Sequence, residues 1–213
     1  MIAITDRKLL YIDPVKTASQ EVDNFILKNK HSSFKILVYS ETSVKHRRII
    51  PDEYKDYDLF ATIRNPYTRA MSAWRQYYYL KHVIHVWIPP SHMYKAKTFE
   101  DFLEHLLKID KEYSDSDDLG IYRFFNLTKW FQNYDMSKME FIRVESLKDD
   151  LIRLFPEVEL EKLEKCLHRK NKTNHLPNLS KTFSKEAIEM IKIWAKDDFE
   201  NFGYDPDEIP VYS

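Results

Sequence analysis

Apolar residues fall along this chain in short runs separated by longer stretches in which they recur every third or fourth position. The runs at Lys8 to Asp13, Lys35 to Tyr39, Asp58 to Ile63 and Glu140 to Val144 are rich in β-branched and aromatic side chains, and each predicts a strand. The helical spacing predicts helices over Ser19 to Lys28, Pro66 to Leu80, Phe99 to Leu107, Ile121 to Asn133, Leu147 to Leu154, Leu160 to His168 and Ser184 to Phe199. Strands alternating with helices imply an α/β fold with a parallel sheet covered on both faces. Pro66 suits a first helical turn, where a missing N–H costs nothing, and Asn65 before it can cap the helix. The pattern breaks from Lys81 to Lys97, where Pro89-Pro90 and three histidines read as a loop or lid, and Ser114 to Asp118 reads as a solvated acidic turn.

Composition changes this picture little. With 213 residues, one domain spanning 1–213 is expected, with 81–118 as an inserted loop or lid. A hydrophobic fraction of 43% and a formal net charge of -1 argue against disorder and against non-specific nucleic-acid binding. Aromatic residues are unusually frequent at 15%; some are expected in the core, and an excess near a site would suit stacking on a base or sugar. Cys166 is the only cysteine, so no intrachain disulfide is possible and a reducing compartment is expected. No N-terminal stretch reads as a signal peptide, and no apolar run has the length of a membrane span.

Two strand-to-helix turns carry the candidate chemistry. In the first, the strand Leu9-Leu10-Tyr11-Ile12 leads to Pro14-Val15-Lys16-Thr17-Ala18-Ser19-Gln20. In the second, Phe60 to Trp74, the strand ends at Arg64 and the Pro66 helix carries Ser72. A guanidinium at the carboxyl end of a strand lies where open α/β sheets bind ligands, and it forks onto phosphate oxygens. Lys16, the hydroxyls of Thr17 and Ser19, and the amides from Thr17 to Gln20 at a helix start form a second anion-binding set. Two such turns imply a ligand with two separated phosphate-like groups.

These residues also carry a family resemblance. Pro14 to Val22 resembles the 5′-phosphosulfate loop of sulfotransferases, commonly PKTGGTS, and Ile63 to Trp74 resembles their 3′-phosphate motif, RNPxxRxxSxY/W. Phe141-Ile142-Arg143-Val144-Glu145-Ser146-Leu147 with Asp150 is similar to the FxRxExLxxD segment of the carbohydrate-type, family 2 sulfotransferases. Lys196 to Tyr204 is similar to their YxxDFexFGY ending. The resemblance implies a three-layer α/β/α fold with a short central parallel sheet, like that of the P-loop nucleotide kinases, and a 3′-phosphoadenosine 5′-phosphosulfate (PAPS) donor. It implies a 5′ site of Lys16, Thr17, Ala18, Ser19 and Gln20, and a 3′-phosphate site of Arg64 and Ser72. Arg69 is expected to be a structural ion-pair partner, and Arg143 with Glu145 a framework pair. Lys16 would neutralise charge growing on the leaving oxygen. The expected general base is His46, which matches a histidine that precedes the RNP strand in related enzymes, with Glu41 as the alternative. A carbohydrate hydroxyl is the expected acceptor; a peptide tyrosine or small alcohol stays open. Relatives of the Golgi carry an N-terminal anchor, and its absence here implies a soluble, cytoplasmic enzyme.

Other readings compete. Ala18-Ser19 stands where the family has Gly-Gly, and Gln20-Glu21 where it has Thr-Ser, which motivates a non-catalytic nucleotide- or partner-binding domain. A small-molecule kinase lacks its GxxxxGK[ST] loop here, since Gly120 and Gly203 are the only glycines. His82, His85 and His92 have no nearby cysteine or carboxylate to complete a metal site, so no metal is expected. They are expected, with Tyr77, Tyr78, Tyr79 and Trp87, to line the acceptor site or simply to pack. The basic run Arg169 to His175 is either a loop closing over the nucleotide or an exposed charged loop.

Overall fold

A computed structural model of the chain describes residues 1–29, 36–38, 50–82, 96–112, 126–167 and 183–210. It resolves into two compact units, one of Met1–Arg64 and Phe131–Lys172, the other of Asn65–Trp130 and Thr173–Ser213.

The first unit holds a five-stranded sheet in the order β3-β1-β2-β4-β5. The strands are β1 (Ile2–Ile4), β2 (Leu9–Ile12), β3 (Ile36–Val38), β4 (Asp58–Ile63) and β5 (Met139–Arg143). The α/β class, with a sheet flanked by helices, is as expected. The four strands legible in the sequence all run one way: β2 pairs parallel with β4, β4 with β5, and β3 shares their direction across β1. The sheet is mixed because β1 runs against both of its neighbours. Three residues at the start of the chain are too few to show an alternation, which is why this strand is invisible to periodicity. A tight hairpin joins it to β2, with the Arg7 amide donating to the Ile4 carbonyl at 3.2 Å and Lys8 at φ 48°.

Alternate residues of the strands build the core of this unit. Ile2 and Ile4, Leu9 and Tyr11, Phe60, and Ile142 share one face of the pleated sheet. Against it pack Val22, Phe25 and Ile26 of α1 (Ser19–Lys28), Leu151 of α5 (Leu147–Leu154) and Leu163 of α6 (Leu160–Cys166). Rings tie the layers together: Tyr11 to Phe60 at 4.9 Å, Phe25 to Phe155 at 5.4 Å and Phe60 to Phe155 at 5.8 Å between centroids. Full burial of one such side chain is worth about 2–3 kcal/mol. Arg7 seals the hairpin to the end of α5, donating to the Leu154 carbonyl at 3.1 Å, pairing with Glu157 at 2.9 Å and covering the Phe155 ring.

The second unit is helical among its described residues: α2 (Pro66–His82), α3 (Phe99–Glu112), α4 (Leu127–Trp130), α7 (Lys185–Trp194) and α8 (Lys196–Phe202). Thr98 and Asp101 exchange hydrogen bonds as a reciprocal cap at the start of α3. Ser184 accepts from the Ala187 amide at the start of α7. Trp74, Tyr77 and Phe102 pack ring to ring at about 5.5 Å and are buried.

Two expected helices come out differently. The one expected from Ile121 to Asn133 is, over its described part, the single turn of α4. Asn126 fixes its start by accepting from the Lys129 amide, and the chain turns after Trp130. The helix expected from Ser184 to Phe199 divides at Ala195 (φ -111°, ψ 22°) into α7 and α8. There the Trp194 carbonyl accepts from the Asn126 side chain at 3.0 Å, so a side chain takes a bond that a continuous helix would make internally.

Candidate active site

The registers of the parallel strands position the site. Ile12 of β2 lies beside Ala61 of β4, and Ile63 beside Arg143 of β5. The segments that follow β2 and β4 therefore leave from the same carboxyl edge of adjacent strands. One carries Lys16, the other Arg64.

After β2, the chain turns through Asp13 and Pro14 into an unusual backbone. Lys16 has φ 70° and Ala18 has φ 57°, both in the left-handed region, where a Cβ crowds the following carbonyl. Two left-handed residues flanking one residue curve the backbone into a concave turn. Successive amides in such turns form anion-binding hollows. The Ala18 carbonyl then accepts from the Glu21 and Val22 amides at 3.0 and 3.2 Å, and α1 begins at Ser19. Lys16, Ala18 and Ser19 are half-buried and Gln20 is exposed. Glu21 lies in the first turn of α1, where the helix dipole favours a negative charge.

Thr17 is fully buried, and its hydroxyl is turned to the interior. It donates to the Pro14 carbonyl at 2.8 Å and lies 2.8 Å from the Thr62 hydroxyl on β4. Thr62 in turn lies 3.1 Å from the Tyr11 phenol on β2. Proton count orders the bonds. Thr17 spends its one hydrogen on Pro14, so Thr62 donates to Thr17 and Tyr11 donates to Thr62. All three side chains have no exposed surface, and burial drives the Tyr11 phenol well above its ordinary value, so it keeps the proton the chain needs. Neither Tyr11 nor Thr62 was among the candidates. The one signal the sequence gives for them is a hydroxyl residue inside the apolar run of β4.

After β4, Arg64 is half-buried at the strand end. Asn65 accepts from the Tyr67 amide at 3.0 Å through its side chain, and its carbonyl accepts from the Arg69 amide and the Thr68 hydroxyl. This is the expected cap, with Pro66 in the first turn. Ser72 lies half-buried in α2, in the second unit.

The two later motifs are explained by structural hydrogen bonds. Asp150 reaches back from α5 to the Arg143 amide and the Ser146 hydroxyl, both at 2.9 Å, and so closes the turn that follows β5. In the C-terminal motif, Asp198 accepts from the Leu127 and Thr128 amides at 2.8 and 2.7 Å, capping α4. Burial raises the Asp198 carboxyl above its ordinary value, opposed by the charge of buried Arg69 and by those amides. The Arg69 guanidinium also covers the Trp194 ring. Gly203 ends α8 at φ 64°, a position that suits a residue without Cβ.

The candidate bases His46 and Glu41 lie outside the described residues, as do His85, Trp87, His92 and the run Arg169 to His175. Tyr77 is packed against Trp74 and Phe102, and Tyr78 is half-buried. Among the described residues, no three His, Cys, Asp or Glu side chains are placed to hold a metal ion, and no helix is long and apolar enough to cross a membrane.

The α/β core carries a cation on each of two neighbouring strand-end turns, and the comparison with known families supplies the class: the model of the Sulfotransferase family matches residues 5–205. The chain belongs to that family, in keeping with the family 2 motifs in its sequence. No curated protein and no solved structure matches it.

Proposed function

We propose that the protein transfers a sulfuryl group from PAPS to an acceptor hydroxyl, and that the acceptor is a carbohydrate. The observation that carries this reading is the emergence of Lys16 and Arg64 from the same edge of adjacent parallel strands. In this reading the concave turn of Lys16 to Ser19 takes the 5′-phosphosulfate and Arg64 the 3′-phosphate. The turn offers the Lys16 ammonium and backbone amides, while Thr17 contributes its amide and not its hydroxyl, which is spent on Pro14. The carbohydrate assignment rests on the family 2 motifs at Phe141 to Asp150 and Lys196 to Tyr204.

The acceptor oxygen attacks sulfur in line, the bond from sulfur to the 5′-phosphate oxygen breaks, and 3′-phosphoadenosine 5′-phosphate (PAP) leaves. The acceptor proton passes to His46, with Glu41 as the alternative base, and Lys16 offsets the charge that builds on the departing oxygen. Sulfate transfer from labelled PAPS, measured over a panel of sugar, tyrosine-peptide and small-alcohol acceptors, tests the assignment. Transfer to sugars is expected. His46→Ala is expected to slow it roughly 100-fold with PAP affinity unchanged; undiminished turnover moves the base elsewhere.

Gln20-Glu21, in place of the family's Thr-Ser, favours a second reading, a domain that binds the nucleotide without turnover. PAP binding with no transfer to any acceptor class would support it.

A further inference from the structure

The buried chain Tyr11–Thr62–Thr17–Pro14 holds a turn without glycine, with Ala18 left-handed where the family pattern has glycine. The turn after β2 holds Lys16 at φ 70° and Ala18 at φ 57°, each unfavourable in a residue with a Cβ. Such conformations persist only where the surroundings over-determine them. Thr17 is the residue between the two. Its hydroxyl is held on both sides, by the Pro14 carbonyl within the turn and by Thr62 on the neighbouring strand, each at 2.8 Å. Tyr11, 3.1 Å from Thr62, completes the series and fixes the direction in which the hydrogens point. Thr62 also stands two residues before Arg64, which follows β4 directly, so its contact with Thr17 sets the turn against the strand that leads to the second cation.

We infer that Tyr11, Thr62 and the Thr17 hydroxyl are positioning residues. They clamp the glycine-free turn in its anion-binding shape and fix its register against Arg64, touching no substrate themselves. The functional half of this inference rests on the PAPS reading; the conformational half does not.

The test uses the whole chain and two readouts. Tyr11→Phe combined with Thr62→Val removes both partners and leaves apolar groups of similar shape, a change that costs a folded protein little. Thr17→Val serves as the second variant should that pair fail to fold. Thr62→Ser and Thr17→Ser keep the hydroxyls. By amide hydrogen exchange, the Glu21 and Val22 amides, which donate to the Ala18 carbonyl of the turn, are expected to exchange about tenfold faster or more in the valine variants, with the core strands unchanged and both serine variants like the parent. By calorimetry, PAP affinity is expected to fall about tenfold in the valine variants, to return with serine, and to recover in part when Ala18→Gly is added to the Thr62→Val background. Unchanged exchange at Glu21 and Val22 overturns the clamp, whatever the nucleotide does. Faster exchange with unchanged PAP affinity overturns its role in positioning. A parent protein that fails to bind PAP removes the nucleotide reading instead, and the exchange experiment still decides the clamp.

Discussion

Ala18 is the residue whose identity and backbone disagree most. At φ 57° it occupies the conformation glycine adopts freely, and it sits at the start of α1 with no side-chain cap. Ala18→Gly relieves the clash at the cost of greater freedom in the unfolded chain, and a net stabilisation of about 0.5–1 kcal/mol is expected from urea melts. Ala18→Val places a branched Cβ in the same conformation and is expected to cost about 2 kcal/mol. Equal stability of the glycine and valine forms would show that the left-handed turn does not exist in solution. Tyr11 gives a second check at this scale. Burial holds its phenol well above the ordinary value of 10.0, so above that pH the folded state keeps a proton the unfolded chain releases. The folded state then binds more protons, and stability declines as pH rises past about 10. Tyr67 is raised by burial as well and adds to the same decline, so the difference between the parent and Tyr11→Phe isolates Tyr11. A shallower alkaline loss of stability is expected in the variant. What the residue pattern could not convey is where hydroxyls point: Thr17 and Ser19 look alike beside Lys16, yet one is buried against Thr62 and the other is half-exposed.

Among the elements, those that announce themselves are the ones whose start or stop is chemical. Pro66 after Asn65 marks the beginning of α2, Ser184 the beginning of α7, and the compact apolar runs mark β2, β4 and β5. Elements defined by distant partners stay hidden. β1 exists because β2 and β3 pair with it from both sides. The break between α7 and α8 comes with a hydrogen bond from Asn126, far away in sequence, and α4 is a single turn capped by Asp198 from α8. No local propensity encodes such bonds. The C-terminal motif is therefore legible as a family sign, but its physical role is not. Asp198→Ala should make that role measurable: it strips a buried and a part-buried amide of their acceptor and removes the carboxyl group that interacts with the Arg69 charge. A loss of about 3 kcal/mol is expected by urea denaturation. A loss below about 1 kcal/mol would mean that α4 is held by its packing alone.

At the scale of the whole molecule, the chemistry reduces to charge placed by topology. Parallel strands deliver their following segments to one edge, and here two neighbouring strands deliver Lys16 and Arg64. The chain is nearly neutral overall, so the nucleotide binding proposed above would draw on this local arrangement and not on a global field. A ligand that binds only the folded form adds RT ln(1 + [L]/Kd) to its stability, about 2.7 kcal/mol at one hundred times Kd. For a chain of this length that corresponds to a rise in melting temperature of roughly 5–10 °C. PAP is expected to produce this shift. ATP, which carries its charge as one triphosphate tail and has no 3′-phosphate for Arg64, should at equal concentration produce a much smaller one. If Arg64 holds the 3′-phosphate as proposed, Arg64→Ala removes a charge-assisted contact worth about 2 kcal/mol and cuts affinity roughly 30-fold, so at the same PAP concentration the shift should fall to less than half. A variant that melts like the parent without ligand, yet keeps the full PAP shift, would take Arg64 out of the site. A larger shift with ATP than with PAP would transfer the edge of this sheet to phosphoryl chemistry.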